Sequence, residues 1–174
     1  MTSNFIFSEA KRVRKRCDTA DPFAALEAMG VVVVHSDRYA KDGLKGFCAI
    51  LNRIMYVVIN AKLSSEEQRV VAAHELGHLV LHRKELLVGA CTDASIYDAT
   101  GQQERDATLF AAEFLLGDAE LQEAMQNYDA DIYSMASALY LPVPLLAFKV
   151  FGMQARGYVD LRLPVDLNSQ FLAG

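Results

Sequence analysis

Residues 70–82 read VVAAHELGHLVLH, an apolar run that contains three histidines and one glutamate. Burying an ionisable side chain is costly unless a partner compensates for the water that it loses. Just before this run, Ser64 followed by Glu67 forms a capping-box pattern, so we expect a helix to begin near residue 64. Aliphatic residues then occur on nearly every side, which predicts a buried central helix. The polar side chains within it therefore need an explanation.

The spacing His74-Glu75-x-x-His78 indicates a metal site. Residues four apart share one helical face and lie about 6 Å apart along the axis, so two imidazoles can bind one ion. Zinc is the default for such a pair, although manganese or iron could also bind. Glu75 is turned from His74 by about 100°, so it can take a proton from a water that the metal activates. The alternative is two core histidines satisfied by neighbours, with Glu75 paired to a base.

His82 does not fit the same ion. It lies eight residues after His74, which is about 12 Å along an unbroken helix. One zinc ion cannot span that distance. We therefore expect His82 to support the site from outside the ligand set, or to be a cation at the C-terminal end of the helix.

A catalytic zinc site needs one more protein ligand and an open position for water. A helix predicted over residues 102–116 offers Glu104, Asp106 and Glu113. Its apolar stripe consists of Ala107, Phe110, Ala111, Phe114 and Leu115. At about 100° per residue, Glu104 lies near this stripe, whereas Asp106 and Glu113 lie far from it and are expected to face outward. Glu104 is thus the expected third ligand; alternatively, it is a carboxylate favoured by the start of a helix.

The remaining patterns predict an α+β fold in which a small antiparallel sheet of about three strands packs on a mainly helical core. The β-rich runs are 31–36, 47–51 and 54–60, and Asn52-Arg53 joins the last two as a hairpin. Further helices are expected over residues 22–29, 118–127 and 130–139, with a last helix ending near residue 152. We expect a long loop over 83–101 and allow a short strand in the tail 157–174.

Composition limits the class of protein. With 174 residues and 52% hydrophobic content, the chain can form one compact domain. A net charge of −5 argues against a generic nucleic-acid binder. No signal peptide and no membrane span is expected, and Cys17, Cys48 and Cys91 lack CxxC spacing. These observations favour the cytoplasm without structural disulfides, with Cys48 as a small buried hydrophobe.

HELGHLVLH followed by ERDATLFAAEFLL resembles the ImmA/IrrE family of metallopeptidases. The resemblance covers roughly residues 24–150, and VVIN, the HELGH helix and E-x-x-A-T-x-F-A occur in the family's order. It implies a gluzincin-like enzyme. The implied zinc ligands are His74, His78 and Glu104, and the implied general base is Glu75.

Two positions depart from the family pattern. Thr108 stands where the family usually has asparagine, and Gly117-Asp118 stands where Met-Pro is common. The departures concern the surroundings of the ligands and the entry to the next helix. They leave the ligands themselves unchanged.

The resemblance also implies a partner and a domain organisation. Such proteins are cytoplasmic zinc endopeptidases that often act on helix-turn-helix repressors of mobile elements or stress regulons. The alternatives are a metal-binding regulatory module that binds a transcription factor without cleaving it, and a metal-free helical domain. We expect a basic N-terminal arm over 1–20, a zincin-like metallopeptidase core over 21–127, and a C-terminal helical segment and tail over 128–174 that pack on the core.

Three further points stay open at this level. The arm contains Lys11, Arg12, Arg14, Lys15 and Arg16. We interpret them as a solvated, partly disordered segment, or else as a contact for an acidic partner or nucleic acid. Residues 129–152 faintly resemble a helix-turn-helix but contain only Lys149 as a basic residue, which argues against direct nucleic-acid binding. The donor that stabilises an oxyanion could be Tyr97, Tyr140 or His35.

Overall fold

A computed structural model describes residues 1–89 and 101–158 of the chain. The elements in this part are α1 (Ser3–Cys17), α2 (Pro22–Ala28), β1 (Val32–Ser36), β2 (Gly46–Leu51), β3 (Ile54–Asn60), α3 (Ser65–Leu81), α4 (Arg83–Gly89), α5 (Gly101–Leu115), α6 (Asp118–Asn127), α7 (Ile132–Ala138) and α8 (Val143–Ala155). The predicted α+β class is confirmed, and the small sheet packs against a mainly helical body.

The three strands form a mixed sheet in the order β1-β3-β2. β2 and β3 are the expected antiparallel hairpin, but β1 pairs with β3 in parallel, with Val33 opposite Val57. The expectation of a purely antiparallel sheet is therefore wrong. The reason is that the connection over residues 37–45 crosses from one edge of the sheet to the other, which leaves the central position for β3.

α3 is the central helix, as predicted. It packs against β2 and β3 on one side and against α5 on another. Its start is fixed by the capping box: the Ser64 hydroxyl accepts from the Glu67 N–H at 3.2 Å, and the Glu67 carboxylate accepts from the Ser64 N–H at 2.9 Å. This cap determines where the helix begins, and the packing of α3 on α5 brings His74 and His78 to Glu104.

α5 is enclosed on more than one side because it packs against α1, α3 and α8. Its predicted apolar stripe is buried, but Asp106 and Glu113 are each only 4% exposed. The expectation that these two carboxylates face outward is wrong, since a single stripe cannot describe a helix with three packed neighbours. Asp106 accepts from the Gln102 amide at 2.7 Å and contacts the amino group of Met1, and Glu113 pairs with a lysine of α8.

The basic segment at the N-terminus is helical, so the expectation of a partly disordered arm is wrong. Thr2 caps α1 by accepting from a backbone N–H at 3.3 Å. The side chains that α1 buries in the core are Ile6, Ala10 and Val13. Their spacing is helical, but it is short and surrounded by charges, which hides it in the sequence. The division of the chain into three parts stays a prediction.

The segment expected to be a loop over 83–101 begins with α4 instead. The rest of that loop, with Cys91 and Tyr97, lies outside the described residues, as does the tail from residue 159 onward. No helix of the described part is by itself long and apolar enough to cross a membrane. α7 and α8 meet that criterion only as a pair bent by 107°, and only by length and composition.

Candidate metal centre and active site

His74 and His78 of α3 converge with Glu104 of α5. One potential ligand atom from each residue lies within 4.8 Å of the others. The two Nε2 atoms of the histidines are 3.1 Å apart. One carboxylate oxygen of Glu104 lies 3.1 Å from His74 Nε2, and the other lies 3.3 Å from His78 Nε2. The structure thus brings together the three residues that the sequence predicts as metal ligands.

The donor atoms and their spacing fit a divalent metal ion. Zinc holds nitrogen and oxygen ligands at about 2.0–2.2 Å, so neighbouring ligand atoms of a tetrahedral site lie about 3.3–3.5 Å apart. The observed separations of 3.1 to 3.3 Å are close to that spacing. Hydrogen bonds with His74 and then His78 hold the pKa of Glu104 well below its usual range. The carboxylate is therefore ionised, as a metal ligand must be.

Glu75 lies next to this cluster but does not belong to it. Glu75 is 6% exposed and lines the same cleft as the three potential ligands. Burial raises the pKa of Glu75, while the neighbouring histidines act in the opposite direction. A carboxyl group with a raised pKa is suited to accept a proton and pass it on near neutral pH.

Cys48 on β2 contributes to the site, although the sequence indicated only a buried hydrophobe. Cys48 and Glu75 line the same cleft and interact electrostatically. Burial and the negative charge of Glu75 raise the pKa of Cys48, so the thiol stays protonated. Gly46 lies on the same face of β2, and a β-carbon there would lie 3.6 Å from Glu75 Oε1. Period-two alternation could place both residues on one face, but only the packing shows that this face meets Glu75.

Thr108 on α5 contacts His74 at its Nδ1 atom. Its hydroxyl donates to the backbone carbonyl of Glu104, four residues earlier, at 2.8 Å. Thr108 Oγ1 also lies 3.3 Å from His74 Nδ1. With its proton directed to the carbonyl, the hydroxyl can accept from Nδ1–H; with a metal ion bound, that tautomer would leave the Nε2 electron pair for the ion. The threonine thus occupies the supporting position that the family resemblance had put in question.

A cleft of about 840 Å³ opens beside the cluster. Its walls come from the start of β2, from α3 and α5, and from the start of α8, and they include the apolar side chains of Phe47, Val70 and Leu145. The Glu104 side chain is 50% exposed, whereas that of His78 is only 4% exposed. Access to the cluster is therefore from the Glu104 side. In the described part of the chain, no strand pairs with the outer edge of β2, which borders this cleft.

Three other polar residues singled out in the sequence lie elsewhere. His82 caps the end of α3, is 2% exposed and lies outside the ligand cluster, with its ring 5.5 Å from that of His78. Burial lowers the pKa of His82, which disfavours the expected cation. His35 stacks on Phe23 at 5.8 Å, and neither His35 nor Tyr140 is among the residues that line the cleft.

Two histidines one helical turn apart, a glutamate from a second helix and a buried glutamate beside them are typical of metal-dependent peptidases. The chain belongs to the Peptidase M78 family, described as the IrrE N-terminal-like domain, whose model matches residues 26–150. The family resemblance predicted from the sequence is thereby confirmed. Membership supports a metallopeptidase-type function and implies a bound metal.

A phage protein is also similar to this chain. It is an uncharacterized immunity region protein 2 from Bacillus phage phi105. The two sequences are 27% identical over 113 residues, which is 65% of this chain and 69% of the relative.

Proposed function

We propose that the chain is a zinc-dependent endopeptidase with His74, His78 and Glu104 as metal ligands and Glu75 as general base. The observation that carries the proposal is the convergence of the three ligand atoms within 4.8 Å beside a buried carboxylate. The family match supports the metallopeptidase class. The open cleft supports a substrate as large as a peptide.

A zinc ion held by these side chains would supply Lewis-acid activation of a water molecule and of the scissile carbonyl. Glu75 takes the proton of the attacking water and passes it to the leaving amine. The neutral thiol of Cys48 lines the cleft beside the Glu75 carboxylate during this transfer. An extended peptide can add to the free edge of β2, where its backbone is held by strand-type hydrogen bonds.

The proposed substrate is a DNA-binding repressor of a mobile element or stress regulon, cleaved in the cytoplasm. The phage relative is named for an immunity region, and this name supports a substrate among the regulators of a mobile element. The alternative is a metal-binding module that holds a transcription factor without cutting it. The test must distinguish this module from a peptidase.

The test is co-expression with the DNA-binding regulator encoded nearest to this gene. Wild type is compared with Glu75→Gln, which removes the base but keeps all three ligands, and with His78→Ala, which removes a ligand. Glu123→Gln is the matched control, because Glu123 is an exposed glutamate of α6. Zinc per chain is measured by elemental analysis, and the regulator is followed by immunoblots against tags at both ends.

Regulator fragments are expected with wild type and Glu123→Gln and not with the other two variants. Glu75→Gln should retain zinc near one per chain, whereas His78→Ala should lose it. An intact regulator that co-purifies equally with wild type and Glu75→Gln would favour the binding module. A wild-type protein without a divalent metal would contradict both readings.

A further inference from the structure

The basic cluster of α1 divides into two sets in the structure. α1 contains five basic residues and one acidic residue in a chain whose net charge is −5. Arg12 donates to the Glu9 carboxylate on the outside of the helix. Lys11, Arg14 and Lys15, which have the spacing of one helical face, instead line a groove of about 640 Å³.

The groove lies between α1 and the region where α5, α6 and α8 meet. Glu113 and Asp118 line it, but both are paired with Lys149 and with Arg156. Asp18 is the one further carboxylate among the lining residues. The unpaired charge of the groove is therefore positive.

The three groove bases have no acidic partner among the described residues. Within residues 1–89 and 101–158, no carboxylate forms an ion pair with Lys11, Arg14 or Lys15. Lys11 Nζ lies 5.8 Å from the ring of Phe7, which also lines the groove. Concentrating like charges without a counter-charge is unfavourable, so the arrangement suits an anionic ligand.

The dipole of α1 explains these bases only in part. Arg14 and Lys15 lie in the last turn, where cations are favoured. Lys11 lies outside the last turn, however, and the dipole does not require the bases to face a common groove. Arg16 is also in the last turn but is not among the groove residues.

We propose that this groove binds an acidic segment of a protein partner, at a site separate from the metal cleft. Glu104 in the cleft and Glu113 in the groove are nine residues apart on α5, which is about 13.5 Å along the axis. One partner chain can therefore occupy both sites. A concave groove fits a peptide segment better than a duplex, and the acidic remainder of the chain repels a long polyanion. The inference holds whether or not the partner is cut.

The probe is a fluorescein-labelled decapeptide of alternating glutamate and alanine, with a lysine–alanine peptide and a labelled DNA duplex as comparisons. Binding to the full chain is measured by fluorescence anisotropy at two salt concentrations. Lys11→Ala/Lys15→Ala removes two groove charges. Arg12→Ala/Arg16→Ala removes two charges from the same helix outside the groove and is the matched control.

Wild type should bind the acidic peptide, more weakly at high salt, and should not bind the basic peptide. The groove variant should weaken binding about five- to tenfold and the control variant less than about twofold, as expected for losing two exposed charge pairs. Lys11 and Lys15 are exposed, so thermal unfolding should be unchanged in the groove variant. Lys11→Gln/Lys15→Gln serves as a second variant.

No binding by wild type, an equal loss of affinity in the groove and control variants, or tighter binding of the duplex with the same dependence on Lys11 and Lys15 would overturn the proposal. Because the assay needs no cleavage, its outcome is independent of the peptidase test.

Discussion

Gly77 of α3 lies directly against Ala107 of α5. A β-carbon on Gly77 would lie 3.0 Å from the carbonyl oxygen of Ala107 and 3.2 Å from the ring of Phe110. The two helices approach this closely only because residue 77 has no side chain. Ala107 follows Glu104 by three residues, so this contact helps to bring the Glu104 carboxylate within reach of His74.

Gly77→Ala is expected to destabilise the protein. Overpacking against a backbone costs about 1–3 kcal/mol, and the better helix propensity of alanine returns at most about 1 kcal/mol. We expect a net loss of about 1 kcal/mol in the free energy of unfolding from urea titrations, and weaker zinc binding because α5 is displaced. Gly101→Ala is the control, because a β-carbon there meets no described atom within 4 Å. Equal stability of the two variants would show that the close contact can relax.

The sequence was sufficient for the parts of the site that depend on one helix. The spacing of His74 and His78 requires only helical geometry, and the capping box at Ser64 marks the start of that helix. The choice of Glu104 was supported by a stripe argument that was wrong about Asp106 and Glu113. These two carboxylates are buried because α5 has neighbours on several sides, and a single helical period contains no information on how many neighbours there are.

The residues that surround the ligands could not be found in this way. Cys48 reaches Glu75 from a strand, and Thr108 reaches His74 from a second helix. Both contacts depend on how elements far apart in sequence pack. The parallel pairing of β1 with β3 was missed for the same reason, because hydrophobic alternation indicates a strand but not the direction of its neighbour.

Thr108→Val is expected to weaken zinc binding without unfolding the protein. Valine keeps the shape of threonine but removes the oxygen that lies 3.3 Å from His74 Nδ1. Loss of a group that orients a metal-binding histidine typically reduces metal affinity by about 10- to 100-fold. Competition with a chromophoric chelator measures the affinity. Thr108→Ser retains the hydroxyl and should bind zinc nearly as tightly as wild type; if serine fails to restore the affinity, the hydroxyl is not what supports His74.

Glu113 and Lys149 should be energetically coupled. Their side chains are 0% and 1% exposed, and they join α5 to α8. Lys149→Met leaves Glu113 and Asp118 to share Arg156, which is one buried negative charge in excess, so it should lower the free energy of unfolding by about 3 kcal/mol. Glu113→Leu combined with Lys149→Met should cost less than the sum of the two single variants, because no charge is then left without its partner. Additive losses in a double-mutant cycle would contradict the coupling.

Arg53→Gly is expected to stabilise the protein. Asn52 and Arg53 form the turn between β2 and β3 with φ angles of 51° and 66°, in the left-handed region of a type I′ hairpin. Asparagine tolerates this region. Other L-residues lose about 1–2 kcal/mol of stability when they adopt it, and glycine does not. Glycine also increases the entropy of the unfolded chain, which offsets about 0.4–1 kcal/mol of the gain. The expected net effect is an increase of about 0.5–1 kcal/mol in the free energy of unfolding, measured by urea titration. Arg53→Ala is the control, since it removes the same charge but keeps the β-carbon and should leave stability unchanged. If alanine stabilised the protein as much as glycine, the unfavourable feature would be the arginine side chain. The positive φ angle of residue 53 would then not be the cause, which would contradict the prediction.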